Sequence, residues 1–380
     1  MRGKDMTTKE LVYHAFEGKS LKRNPVTVPY NILICEDHFT ELTGEPVWKF
    51  YETMLNPECA AKYYHSFAQK IPFDIFETYR WQRGRDTNEF REKTEVVVNE
   101  KGVFYHDKYD DSYEKLPENP YDFDNKPTER QIVFDKHDVK EQVACRTAEV
   151  LLRTGFAMHT QECVKEFGNE KFILSGRVLN VLYQSSWYVG LTNLYYMIGD
   201  EDPLLEYLQK TLLEANLEKI RAYAACGGDA IHIDDAMAGS DMISASSYEQ
   251  YSLPYMQRQI EEIHRLGKKA IVTYFGGVED RIEQIISTGA DALVMECSMK
   301  NFVNDYGKLA DIIDDRLCLY TNIDPIAHVR DMTEQQLKET ISEYVRKARK
   351  HKKYMISTGS PLTPDTSWER IRFFADAAKQ

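Results

Sequence analysis

The sequence predicts an α/β fold, a (β/α)8 barrel of the TIM type with an N-terminal extension and a β-hairpin insertion, on three observations. Short apolar runs alternate with amphipathic helical stretches, which implies right-handed parallel βαβ units, and many such units in succession can close on themselves. Polar and acidic residues recur directly after the apolar runs, as Asp234 and Asp235 do after Ala230 to Ile233. At 380 residues the chain is also longer than a plain barrel, leaving room for an insertion at about 82–136 within a single domain spanning 1–380. An open doubly wound sheet is the alternative. No G-x-G-x-x-G follows any strand to support it, and Gly227-Gly228 precedes a strand where a phosphate loop would have to follow one.

The elements follow in order. Thr7 and Thr8 before Lys9 and Glu10 read as a helix start, with Leu11, Ala15 and Phe16 at helical spacing until Gly18. Val26, Val28, Ile32 and Ile34 read as a buried strand ending at the polar Cys35-Glu36-Asp37-His38. Phe73 to Phe76 is the next strand. Val96 to Val98 and Val103 to Tyr105 form a hairpin about Asn99 to Gly102, followed by an acidic, tyrosine-rich loop from Asp107 to Thr128. This insertion suits a lid or an oligomer contact.

A helix is expected from Asp138 to about Phe167, a strand at Phe172 to Leu174, and a long helix pair through Leu204 to Ala225. Ala230 to Ile233, Ala270 to Thr273, Ala292 to Met295, Leu317 to Tyr320 and Tyr354 to Ile356 are strands. Tyr248 to Leu266 and Val278 to Thr288 are helices between them.

A net charge of −13 with no concentrated basic face disfavours nucleic acid. No apolar run is long enough to span a membrane, and the polar start lacks the apolar core of a signal peptide, which points to a cytoplasmic protein. The seven cysteines are scattered, without a C-x-x-C pair, and are expected to be reduced.

Carboxylates at the ends of buried parallel strands are costly unless they face an open mouth. Glu77, Asp234, Asp235, Glu296, Asn322, Asp324 and Ser357 all stand at such ends, with Gln184 and Trp187 after an earlier strand. Helix capping explains any one of them alone, Asp324 before Pro325 most readily. Gathered around one mouth, they would raise one another's pKa and leave a protonated carboxyl as general acid. His232 shares a strand face with Asp234, although a histidine within a strand is more often a hydrogen-bonded core residue than a ligand. Arg80, with Arg83 and Arg85 and beside Trp81, forms a basic group able to receive a substrate carboxylate or simply to sit in solvent.

Gly228-Asp229-Ala230, Asp234-Asp235, Ser244 through Tyr248 and Pro254-Tyr255 resemble the uroporphyrinogen decarboxylase superfamily. Asn24-Pro25-Val26, Thr288 to Asp291, Asn322 to Pro325, Gly359-Ser360 and Pro364 to Thr366 follow in the family's order along nearly the whole chain. The resemblance implies either a porphyrin decarboxylase or a cobalamin-linked methyltransferase.

An arginine-rich segment of the decarboxylase branch is replaced here by the acidic Ile34 to His38, and its late Gly-His by Gly359-Ser360; only Tyr196 resembles a site position of that branch. The zinc ligands of the thiol methyltransferases correspond to Thr273, Phe275 and Ser360, none of them a good ligand. What the resemblance then implies is a methyl donor enzyme. It would demethylate a small, methoxylated donor and hand the methyl group to the cobalamin of a separate corrinoid protein, with Asp234, Asp235, Glu296 or Tyr274 giving a proton to the departing oxygen.

Decarboxylation, or a barrel kept only for ligand binding or partner docking, are the other readings. His232, Glu296 and Cys297 stand as a substitute zinc set, because imidazole, carboxylate and thiolate all bind that metal. A homo-oligomer is compatible with the insertion.

Overall fold

In a computed structural model that describes residues 6–78, 87–118 and 130–380, the strands are, in chain order, β1 (Ile75–Glu77), β2 (Thr94–Asn99), β3 (Gly102–Asp107), β4 (Ser112–Lys115), β5 (Phe172–Leu179), β6 (Ala230–Asp235), β7 (Lys269–Tyr274), β8 (Ala292–Met295), β9 (Cys318–Tyr320) and β10 (Tyr354–Met355). They form a seven-stranded sheet, β1-β5-β6-β7-β8-β9-β10, and a three-stranded one, β2-β3-β4. Every pairing in the large sheet is parallel, and each strand lies beside its successor in that series.

The large sheet curls without closing. Its edges stand 10 Å apart, which overturns the expected eight-stranded barrel. The missing member is the strand expected over Val26 to Ile34. Val26 makes only an isolated bridge to Ile356, with Thr27 N donating to Ile356 O at 3.0 Å and Ile356 N to Pro25 O at 2.9 Å. Pro25 and Pro29 have no N–H to give a ladder, and Tyr30 turns the chain with φ of 54° into a helix over Ile32–Asp37. On the other side of the seam, Val26 O accepts from Asp74 N at 2.8 Å.

The amino end of the curl is plugged by the helix Thr8–Glu17, capped by Thr7 and Glu10 in a reciprocal box. Its Val12, Ala15 and Phe16 pack among the inward side chains Ile75, Phe172, Ala230, Ile271, Ala292, Cys318 and Met355. Helices Pro203–Ala225 and Leu253–Arg265 cover the outer face against β5, β6 and β7. The carboxyl end of the sheet is left open and holds a cavity.

Other expected elements are cut differently. The stretch expected as one helix to Phe167 is three, Lys136–Gln142, Ala148–Arg153 and Met158–Phe167. Gly155 at φ 81° and Ala157 at φ 59° break the last two apart. The expected pair through Ala225 is a single helix of 23 residues. Tyr248 to Leu266 splits at Ser252 into Ala245–Tyr251 and Leu253–Arg265, where Pro254 starts the second piece. In the insertion, β4 adds a third strand where a loop was expected, and Tyr105 anchors the small sheet against Tyr51 and Phe90.

Candidate functional site

Along β6 the side chains alternate between the two faces of the sheet, and this decides which acidic residues reach the cavity. His232 and Asp234 point inward and line a cavity of about 460 Å³ at the carboxyl ends of the strands. Glu77 from the end of β1 and Glu296 from just past β8 line the same space, as do Tyr30, Glu36, Arg177, Asp241, Phe275 and Phe302.

Arg177 reaches it through a defect in β5. Register shifts between Leu174 and Gly176, so Leu174 pairs with Ala230 while Arg177 pairs with His232. Regular alternation from Leu174 would have sent Arg177 to the outer face; the bulge turns it inward. Gly176 permits the bend, because a Cβ there would stand 2.2 Å from the Tyr223 ring.

The inward guanidinium of Arg177 pairs with Asp234 and lies 4.6 Å above the centre of the Tyr30 ring. Phe275 is stacked on Tyr30, 6.1 Å between centroids and 12° between planes. His232 bonds to Thr273 Oγ1 at 2.5 Å. Burial, reinforced by Arg177, holds its imidazole well below the usual range, so the ring is neutral.

Glu77 is buried, and desolvation pushes its carboxyl up to about 7; Arg177 and the backbone N–H groups of Tyr30, Ile32 and Asn31 limit the rise. Tyr30 N donates to its Oε1 at 3.1 Å. Glu296 is raised as well, by burial and by Asp241 nearby, while Gly276 N donates to it at 2.9 Å.

Asp235 and Tyr274 pair across the ladder on the opposite face, among the helices. Asp235 accepts from Tyr248 Oη and Ser252 Oγ, both at 3.2 Å, and burial pushes its carboxyl up to about 7. The Tyr274 hydroxyl donates to Ala238 O. Neither residue lines the cavity.

Asn322 donates to Glu296 O and Asn304 O and so shapes the loop behind Glu296. Ser357 is buried and donates to Thr358 O. Gln184 and Trp187 line a second cavity, of about 750 Å³, which meets the first at Arg177; Gln184 there accepts from Asn216 at 2.8 Å. Tyr196 is 66% exposed. Asp324 caps the turn after it, accepting from Ile326 N and Ala327 N. Cys297 is buried beside the site, its thiol pushed up to about 11 by desolvation. His232, Glu296 and Cys297 do not converge, and among the described residues no group of three or more metal-ligating side chains does. Arg80 and Trp81 lie outside the described residues.

Sequence reasoning missed Arg177, Tyr30, Glu36 and Asp241. Arg177 was hidden by the bulge. Tyr30 falls in the stretch expected to be a strand and Glu36 in the polar run expected to end it, while the polar Asp241 after β6 was a signal open to the same strand-end argument that marked Asp234.

Fold and cavity together define an α/β protein with a carboxylate-rich chamber at the carboxyl ends of parallel strands. A family model described as uroporphyrinogen decarboxylase (URO-D) matches residues 154–380, more than half of the chain, and the chain belongs to that family. It is 26% identical over 186 residues to a uroporphyrinogen decarboxylase of Tolumonas auensis, covering 48% of this chain and 49% of that one. Against that of Thioalkalivibrio sulfidiphilus it is 31% identical over 134 residues, 34% and 36% of the two chains. Such matches span about half the length of the curated relatives or less. Among solved structures, a methyltransferase from Methanosarcina mazei superposes with a TM-score of 0.69 over 98% of both chains at 17% identity, a likeness of fold.

Proposed function

We propose that this protein is a methyltransferase that removes the methyl group of a small donor, such as a methoxylated arene, and passes it to a corrinoid carried by a separate protein. The observation that carries the reading is Glu77, a buried carboxyl held near neutrality on the wall of a cavity open at its mouth and largely apolar in its lining. A departing oxygen needs a proton, and a positioned acid with a pKa near the working pH speeds such a step by roughly 10²- to 10⁴-fold. Glu77 takes the role that the sequence offered to Asp235 and Tyr274, which face the helices. Arg177, locked to Asp234 and Tyr30, fixes the wall against which the donor rests.

The mouth suits a partner protein. Met242 and Phe302 line the entrance, and Met242, Met299 and Val303 are exposed around it on the loops after β6 and β8. When bound there, the corrinoid supplies a cobalt(I) nucleophile, and this chain aligns the methyl group with it, excludes water and holds the proton.

The named relatives favour decarboxylation of a porphyrinogen as the second reading. The cavity counts against it, since Glu36, Glu77, Asp234, Asp241 and Glu296 would meet a substrate bearing many carboxylates. Incubation with a cobalt(I) corrinoid and a panel of methyl ethers, methylamines and methyl sulfides decides: loss of the cobalt(I) absorbance with release of demethylated product supports methyl transfer. Silence across the panel, with carbon dioxide released from uroporphyrinogen, overturns it.

A further inference from the structure

Around the cavity, Glu36, Glu77, Asp234, Asp241 and Glu296 face the single guanidinium of Arg177 among the described lining residues. That guanidinium is already spoken for, paired with one oxygen of Asp234 and laid on Tyr30. The other oxygen of Asp234, Oδ1, is buried and accepts no hydrogen bond, in a residue only 1% exposed. A buried carboxylate oxygen without a donor is costly, and the simplest relief is a donor brought by the ligand.

The remaining carboxylates are arranged to the same effect. Glu296 and Asp241 stand close enough to repel each other at the mouth, and Glu77 waits deeper beside Arg177. Tyr30, Tyr183, Phe275 and Phe302 supply aromatic surface, whose ring faces attract cations and whose apolar area receives the carbon skeleton. A neutral ligand brings no positive group to Asp234, Asp241 and Glu296, and an anion adds to their repulsion.

We propose that the ligand of this cavity is an organic cation, a small ammonium compound whose positive group is received by Asp234, Glu296 and Asp241. The inference deepens the methyl donor reading, since it rests on the same chamber and names the chemistry of the donor. Two kinds of molecule carry that chemistry. In one the charge sits on the methylated nitrogen itself, and in the other it sits on an aminoalkyl arm of a methoxylated arene. Arg80, Arg83 and Arg85 lie outside the described residues and do not enter the charge count, so a carboxylated ligand is the natural competitor in the test.

The test is direct binding to the protein alone, without corrinoid, so that it stands whether or not methyl transfer is ever seen. Calorimetry would compare 4-methoxyphenethylammonium, the near-isosteric neutral 4-propylanisole and 3-(4-methoxyphenyl)propanoate, with tetramethylammonium as the arm carrying its charge on the methylated atom. The ammonium ligands are expected to bind at least about tenfold tighter than the neutral one, and the propanoate most weakly.

Asp241→Asn, at the exposed rim where folding is not at stake, and Glu296→Gln should each narrow the preference for the cation by about threefold or more without weakening the neutral ligand. Equal affinity for cation and neutral isostere, or tighter binding of the propanoate, overturns the proposal. Tighter binding of tetramethylammonium than of the arene would place the charge on the methylated atom, and the reverse would place it on the arm; either result supports an organic cation.

Discussion

Replacing Glu77 by Gln removes a charge while keeping the shape and an oxygen able to accept from Tyr30 N. The carboxyl titrates at about 7 in the folded chain against an ordinary 4.5. Between those values the folded state holds a proton that the unfolded chain has lost, so this group makes stability fall as pH rises through the window and leaves it level on either side. The difference amounts to about 3 kcal/mol of strain carried by the ionised carboxylate above the window. Glu77→Gln should therefore be close to wild type in stability at pH 4 and gain progressively, approaching that figure by pH 8.

The assay is urea unfolding followed by tryptophan fluorescence at several pH values, read as the difference between variant and wild type. Asp235, which titrates in the same range, is present in both chains and cancels. Activity should move the other way: the variant loses the proton donor, and wild-type turnover of an ether declines above pH 7. A stability difference that stays constant from pH 4 to 9 would refute the assignment of a strained, proton-holding carboxyl at this position.

Other outcomes follow from the geometry. Gly176→Ala drives a methyl group into the Tyr223 ring and should cost about 1–3 kcal/mol in denaturant unfolding, with donor affinity lowered because Arg177 loses its inward aim. Arg177→Met strands the buried Asp234 and should cost about 3–5 kcal/mol, much of it recovered in the Arg177→Met, Asp234→Leu double variant, as a double-mutant cycle would show. Asp235→Ala deprives the Tyr248 and Ser252 hydroxyls of their acceptor and should lower stability by about 1–3 kcal/mol, while KM for the donor stays unchanged because the residue faces the helices.

Periodicity was enough to find the interior strands, because β6, β7 and β8 are buried on both faces and read as near-continuous apolar runs. It failed at the first strand. Val26 to Ile34 has the right hydrophobicity, but ladder formation depends on N–H donors and backbone angles, which Pro25, Pro29 and the left-handed Tyr30 deny. Within the site, the shared face of His232 and Asp234 could be read from a spacing of two, and the same rule, applied one residue on, turns Asp235 away. Arg177 was out of reach, since a bulge is a property of paired strands and leaves little trace in one of them beyond a glycine. Gln184 and Trp187 show the opposite failure: chemically suitable residues after a strand, placed by their helix against another cavity.

The unclosed seam gives the sheet an uneven mechanical character. Asp234 and Glu296 hang from strands, or from the ends of strands, clamped on both sides by ladders, whereas Glu77 ends an edge strand whose free side is held by the Asn31 amide, which donates to Ile75 O and accepts from Glu77 N, and by Tyr30 N on the Glu77 carboxyl. The join beside that carboxyl thus depends on one amide side chain and a few single backbone bonds in place of a ladder.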